Sequence, residues 1–315
     1  MRLGALGQAL VILRAGVWTS AGRGLVPALR QFRQILRYAS AGPDPRVQPE
    51  APFDQAAYVG AHQGLGRVSP LAHYLTSGAR EGRAPHPLFD PAYYSRSVAA
   101  SLAASGLSPL EHFVRQGAAE GFDPHPLFSI AHYLGQAPDL AASGENPLTH
   151  HDREAARRDL SPLALFDAAW YRARLPDAER AGPPLKHYVQ SGAARGLKPH
   201  VLFDPRWYLD AYPDVAEAGL EALSHFVVQG WTEGRSTGPW FDTAHYLSRR
   251  GSTGKVNPLI DYLEGGAWLV GEPRPGFPAL AYLTGDLTFG ADCSVNPFAV
   301  IRGEIRMGDG VQIGR

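Results

Sequence analysis

The sequence predicts a mainly α-helical fold: a tandem array of helical hairpins running into a short, incomplete β-helix at the C-terminus. Two recurrences carry that expectation. Phenylalanine returns at Phe53, Phe89, Phe128, Phe166, Phe203, Phe241 and Phe277, with spacings of 36, 39, 38, 37, 38 and 36. After Tyr282 the period changes, and apolar residues fall every six, at Phe289, Val295, Ile301, Met307 and Ile313.

Each long repeat opens on a helix start. Five residues after every Phe stands a tyrosine: Tyr58, Tyr94, Tyr133, Tyr171, Tyr208, Tyr246 and Tyr282. Asp54, Asp90, Ser129, Asp167, Asp204 and Asp242 follow the Phe directly. A side-chain oxygen there accepts an orphan backbone N–H at the N-cap. Pro91 and Pro205 then occupy the first helical position, where proline fits. Phe and Tyr become the two ends of a hydrophobic staple.

A second helix is predicted from Ser69-Pro70, Ser108-Pro109, Asn146-Pro147, Pro184, Ala222 and Asn257-Pro258. A pair follows at His73-Tyr74, His112-Phe113, His150-His151, His187-Tyr188, His225-Phe226 and Asp261-Tyr262. Gly78, Gly117, Gly192, Gly230 and Gly266 come four residues after the second member and are expected to close the helix in the left-handed C′ conformation. The third repeat has Ala155 instead. A hairpin of this size buries too little surface to stand alone, so neighbours are expected to stack.

Four regions result: a basic amphipathic helix region (1–40), a Pro-rich linker (41–52), the helical repeat array of six units and a partial seventh (53–285), and the hexapeptide region (286–315). Residues 1–43 hold Arg2, Arg14, Arg23, Arg30, Arg33 and Arg37 and no acid. The rest of the chain is net acidic, which excludes nucleic-acid binding by the body on charge grounds. Leu25, Leu29, Phe32 and Leu36 form a helical stripe. It reads either as a cap on the open end of the array or as a peripheral membrane contact. The apolar run Leu3–Leu13 is too short to span a bilayer, which needs roughly 20 residues.

Twelve histidines invite a metal or catalytic reading, but ten fall at fixed repeat positions. A structural role is expected, each bonding a neighbouring backbone carbonyl; a ladder binding glycan or an acidic partner is the alternative. No catalytic or metal-binding residue is assigned. Cys293, the single cysteine, allows no disulfide within the chain and is expected to point inward.

The blocks Phe203-Asp204-Pro205, Tyr208-Leu209 and Tyr212-Pro213-Asp214-Val215-Ala216, with the Pro-Leu-x-His-Tyr blocks, resemble repeats of large bacterial glycosyltransferases and other surface-polysaccharide proteins. The hexads, with Cys293, Ala299, Ile305 and Val311 at the second inward position, resemble left-handed β-helix acyltransferases. Val300-Ile301-Arg302-Gly303-Glu304 also resembles a run in γ-class carbonic anhydrases of the same fold. The resemblance implies an acyl-CoA such as acetyl-CoA as co-substrate, a sugar hydroxyl as acceptor, a histidine base and a homotrimer. No histidine follows His245. The chain is therefore expected to be the N-terminal portion of a polysaccharide O-acyltransferase, inactive alone, with its catalytic coils missing. The expected location is the cytoplasm, peripheral at the inner membrane, with a glycosyltransferase as a candidate partner. A non-catalytic scaffold of polysaccharide biosynthesis and a glycosyltransferase-associated fragment are the alternatives.

Overall fold

The computed structural model describes residues 4–18, 25–251 and 256–266, and the backbone of six short strands between 282 and 313. Helix dominates the described residues. The chain divides into two compact units, Met1–Ala155 and Ala156–Arg315.

The first unit begins with α1 (Ala5–Ala15) and α2 (Leu25–Ala41), which pack on each other. The helix predicted over Leu25–Leu36 is present, but it buries a different face. Ile35, Tyr38 and Ala39 are buried, Phe32 and Leu36 are half-buried, and Leu29 is exposed. Tyr38 explains the choice. Its hydroxyl donates to the Gln55 side-chain oxygen and accepts from the Leu71 N–H at 3.2 Å. On α1, Gln8 accepts from the Ser69 N–H at 2.7 Å, and Arg115 donates to the terminal carbonyl of Ala15 at 2.7 and 3.0 Å. The hairpin is therefore fastened to the first two repeats by buried polar contacts, which would be costly to leave unmade.

Residues 41–52 follow the path of an inter-repeat loop. Gln48 accepts from the Gln55 N–H at 3.0 Å, as Asp123 does from Ile130 at 2.7 Å and Ser161 from Ala168 at 3.0 Å. Tyr38 precedes Phe53 by the same interval that separates Tyr74 from Phe89. The end of α2 and the segment after it are thus in register with the close of a repeat.

All six described repeats begin with the predicted cap and staple. Asp54, Asp90, Ser129, Asp167, Asp204 and Asp242 have extended backbone, and each accepts from an N–H two or three residues on. The Phe and Tyr ring centroids lie between 5.0 and 5.6 Å apart. The third ring comes from the second helix: Tyr74, Phe113, His151, Tyr188, Phe226 or Tyr262, at 5.4 to 6.1 Å from the Phe. Aromatic pairs of this kind, tilted or edge-on except for the stacked Phe203–Tyr208, add about 0.5–1.5 kcal/mol each beyond their burial.

The start of a repeat is tied through backbone to its closing segment, just before the next Phe. The Asp54 N–H donates to Pro85 and the Asp90 N–H to Pro124, both at 2.9 Å, in the first unit. In the second, Asp167 donates to Pro199 at 3.1 Å and Asp204 to Thr237 at 3.0 Å. Further short helices, absent from the sequence expectation, lie between the two main ones at Ala99–Ser105, Pro138–Ser143, Asp177–Glu179 and Pro213–Glu217.

The second helix differs most from expectation. Four α-helical residues such as Pro109–His112 run straight into a π-helical turn, Phe113–Gly117. The same pair occurs at Pro70–His73 and Tyr74–Gly78, Pro184–His187 and Tyr188–Gly192, Ala222–His225 and Phe226–Gly230, and Pro258–Asp261 and Tyr262–Gly266. Gly78, Gly117, Gly192 and Gly230 are not the left-handed C′ residues. That role falls four residues later, on Gly82, Gly121, Gly196 and Gly234, with φ of 70°, 82°, 67° and 73°. Arg83 N–H to Gly78 C=O at 2.9 Å and Gly82 N–H to Ala79 C=O at 3.2 Å complete a Schellman motif there. The third repeat has no π turn; its helix runs unbroken from Pro147 to Arg158. Asp159 takes the left-handed position at φ 49°, among the described residues the one non-glycine with positive φ.

Six strands follow in the second unit: β1 (Tyr282–Thr284), β2 (Leu287–Phe289), β3 (Ser294–Val295), β4 (Val300–Arg302), β5 (Ile305–Met307) and β6 (Gln312–Ile313). Tyr282 thus opens a strand rather than occupying the helix of a seventh repeat, and Phe277 lies outside the described residues. The strands pair in parallel as β1–β4, β2–β5 and β3–β6. Leu283 aligns with Ile301, Phe289 with Met307, and Val295 with Ile313. All three registers share one offset, equal to three hexads. Cys293, Ala299 and Val311 lie outside the described residues.

Candidate functional site

The histidines are the side chains richest in chemistry, and the second helix positions five of them. His73, His112, His150, His187 and His225 each precede the third ring of a repeat. The Nδ1 of each meets the staple hydroxyl, from Tyr58, Tyr94, Tyr133, Tyr171 and Tyr208, at 2.7 to 2.9 Å. A tyrosine hydroxyl, not a backbone carbonyl, is therefore the partner. In the sixth repeat Asp261 replaces histidine, and the Tyr246 hydroxyl donates to its carboxylate. A carboxylate can only accept, so the hydroxyl is the donor there. The fourth repeat fits the same direction. His187 Nε2 lies 3.1 Å from Glu179, which places the proton on Nε2 and leaves Nδ1 to accept.

The glycine that follows is explained by this bond. A Cβ at Gly78, Gly117, Gly192 or Gly230 would overlap the hydroxyl of Tyr58, Tyr94, Tyr171 or Tyr208. Hydroxyl, imidazole and glycine therefore form one compact element, repeated along the chain.

The chemistry open to this element is narrow. Burial pushes the Tyr94, Tyr171 and Tyr208 hydroxyls well above the ordinary tyrosine range, so none is an anion near neutral pH. Burial lowers His73 and His225, with Arg83 and Arg235 adding repulsion. Tyr171–His187–Glu179 has the layout of a proton relay, but Arg195 holds Glu179 at 2.6 Å and lowers its carboxyl. The relay also recurs without its acid, as Tyr94–His112–Ser101, where His112 Nε2 lies 2.8 Å from the serine hydroxyl. An element used in repeat after repeat with changing outer partners is a packing device.

The second histidine set is also fixed. His86, His125 and His200 accept at Nδ1 from the N–H two residues on, at 3.0, 3.1 and 3.1 Å. This too replaces the expected carbonyl contact. His86 Nε2 reaches Asp152 at 2.9 Å, and burial lowers the His125 pKa to about 4. Asp123, two residues before His125, is pushed up to about 6 by burial, while the Ile130 N–H opposes the rise. Among the described residues no cluster of His, Cys, Asp or Glu is arranged to hold a metal ion.

One residue escaped the sequence reading. Glu221 caps the second helix of the fifth repeat, accepting from Leu223 and Ser224 at 3.0 and 2.6 Å. It also accepts from Tyr188 of the fourth repeat at 2.8 Å. Its place before Ala222, where four of the other five repeats carry Ser or Asn, was the available signal.

The surface that does stand out is the outer side of the N-terminal hairpin. Leu6, Leu10 and Leu13 of α1 and Leu29 of α2 are exposed, as are Arg14, Arg30, Arg33 and Arg37. Among the described residues none of these four arginines has an ion-pair partner.

Comparison with protein-family models, with curated proteins and with solved structures found no match for this chain.

Proposed function

We propose that this chain belongs to the O-acylation of a bacterial cell-surface polysaccharide, joining a stacked helical-hairpin array to the coils of a left-handed hexapeptide β-helix. The observation that carries this reading is the common three-hexad offset of three separate parallel strand pairs. A winding with three faces, one hexad to a face, requires that offset and parallel pairing. The apolar hexad positions Leu283, Phe289, Val295, Ile301, Met307 and Ile313 all fall on those strands.

In this reading the β-helix is the transferase element, working as a homotrimer on an acyl-CoA and a sugar hydroxyl. The array is the module that brings it to its acceptor or to a glycosyltransferase partner, at the cytoplasmic face of the inner membrane. Among the described residues no helix is long and apolar enough to cross a membrane, which agrees with a peripheral placement. The cap and staple of all six described repeats, and the Tyr–His–Gly element of the first, second, fourth and fifth, support the array. No residue of the chain is assigned a catalytic role.

A scaffold without transferase activity is the second reading. It is favoured by the recurrent packing role of the histidines. Deletion of the gene, followed by NMR of the isolated surface polysaccharide, separates the two. Loss of O-acyl signals with polymer yield retained is the expected result. Unchanged acylation with reduced polymer would replace the transferase by the scaffold.

A further inference from the structure

We propose that the outer face of the α1–α2 hairpin docks on an anionic phospholipid surface, its leucines entering the headgroup layer and its arginines binding lipid phosphates. Leu6, Leu10 and Leu13 are 57%, 51% and 39% exposed, and Leu29 is 51% exposed. Positions i, i+4 and i+7 share one side of a helix, so the three α1 leucines form a stripe. They account, with Leu29, for half of the exposed large apolar side chains among the described residues. Single exposed leucines are ordinary, but this concentration in two helices is not.

The opposite side of each helix is already committed. Gln8, Ala9, Ile12 and Ala15 of α1 and Ile35, Tyr38 and Ala39 of α2 are buried. Gln8 and Arg115 fasten α1 to the repeats, and Tyr38 fastens α2. The apolar stripe is therefore presented by a held scaffold rather than by a loose helix, which lowers the ordering cost of binding.

Charge selects the occupant. Arg14 follows the α1 stripe within one turn, and Arg30, Arg33 and Arg37 lie along the edge of the α2 stripe. No acid occurs before Asp44. A second copy of the chain meeting the same face about a twofold axis would set arginines against arginines. An anionic bilayer neutralises them while taking the leucines, with the long arginine stems lying along the apolar surface. α1 is too short to span such a bilayer, so the contact lies in the plane of the interface.

The test is co-sedimentation of the full chain with vesicles of phosphatidylcholine containing a quarter phosphatidylglycerol, against pure phosphatidylcholine. Binding to the anionic vesicles alone is expected, weakening as salt rises. Replacing Arg30, Arg33 and Arg37 by Gln should lower the partition coefficient on the order of a hundredfold, about fivefold per charge. Leu10→Glu should lower it at least about tenfold, and Leu6→Glu serves as a second variant at an equally open position. Light scattering of the wild type and Leu10→Glu runs alongside. No sedimentation with anionic vesicles, or equal sedimentation of the leucine variants, overturns the proposal. So does a dimer that Leu10→Glu converts to monomer, which would assign the face to self-association.

Discussion

The helix at Pro147–Arg158 and its five counterparts begin from similar signals and end in different geometry. Asn146 caps the third helix through the Leu148 N–H at 3.0 Å, and Asn257 caps the sixth in the same way at 3.0 Å. The Tyr133–His150 bond, at 2.8 Å, matches the bonds of the other repeats. Yet the third helix stays α-helical through buried Ala155, while the others widen into a π turn ending on glycine. The aromatic pair is thus common to both forms, and the glycine belongs to the π turn alone. A π turn holds one residue more than an α turn, so every later Cβ is rotated by roughly 100°. With that rotation the tyrosine hydroxyl comes against Cα, and only a residue without Cβ is compatible.

The largest effect is expected from what both forms share. Tyr208→Ala in a π repeat and Tyr133→Ala in the α repeat should each cost about 3–5 kcal/mol in chemical denaturation, as for any large buried aromatic. A π repeat losing far more than the third would mean that the aromatic pair does different work in the two. Exchange of the residue that separates them should be asymmetric. Gly117→Ala forces a Cβ onto Tyr94 and should cost about 1–3 kcal/mol, whereas Ala155→Gly should cost only about 1 kcal/mol of helix propensity. Gly121→Ala probes conformation without crowding. Nothing lies within 4 Å of a Cβ there, so its φ of 82° alone should cost about 1–2 kcal/mol.

The smallest effect concerns pH. His125 is held neutral by burial, with its pKa at about 4, so the unfolded chain binds the extra proton between about 4 and the ordinary 6.5. Stability from this group is full above that window and is lost as pH falls through it. Asp123 acts oppositely. Its folded pKa of about 6 lies above the ordinary 3.8, so its contribution is present at low pH and lost as pH rises through 6. The two offset each other between about 4 and 6. With Asp123→Asn the melting temperature should therefore rise with pH across that window, and with His125→Gln it should fall.

Much of this architecture was legible because it is local. Cap, staple and first-helix proline lie close after each Phe, and repetition separates them from chance. The strand offset was likewise present as three hexads. What escaped depends on contacts between helices. Gly117 looks like a helix terminator until the Tyr94 hydroxyl, from the first helix of the repeat, is seen against it. The true left-handed residue, Gly121, stands in the sequence only as part of a Glu-Gly step. The kinship of α2 with a repeat ending is hidden because the Phe–Tyr pair is the recurring landmark, and α2 carries only the aromatic that closes a repeat, Tyr38. The five histidines that open the third-ring pair have a partner other than the expected carbonyl, since the tyrosine hydroxyl that meets them comes from the other helix.

The most direct test of the account is a double-mutant cycle on Tyr94→Phe and Gly117→Ala, read by urea denaturation. If the hydroxyl and the missing Cβ define one element, the double variant should be more stable than Gly117→Ala alone, with a coupling of about 1 kcal/mol or more. Two costs that simply add would contradict it and leave the glycine, and the π turn with it, without a cause.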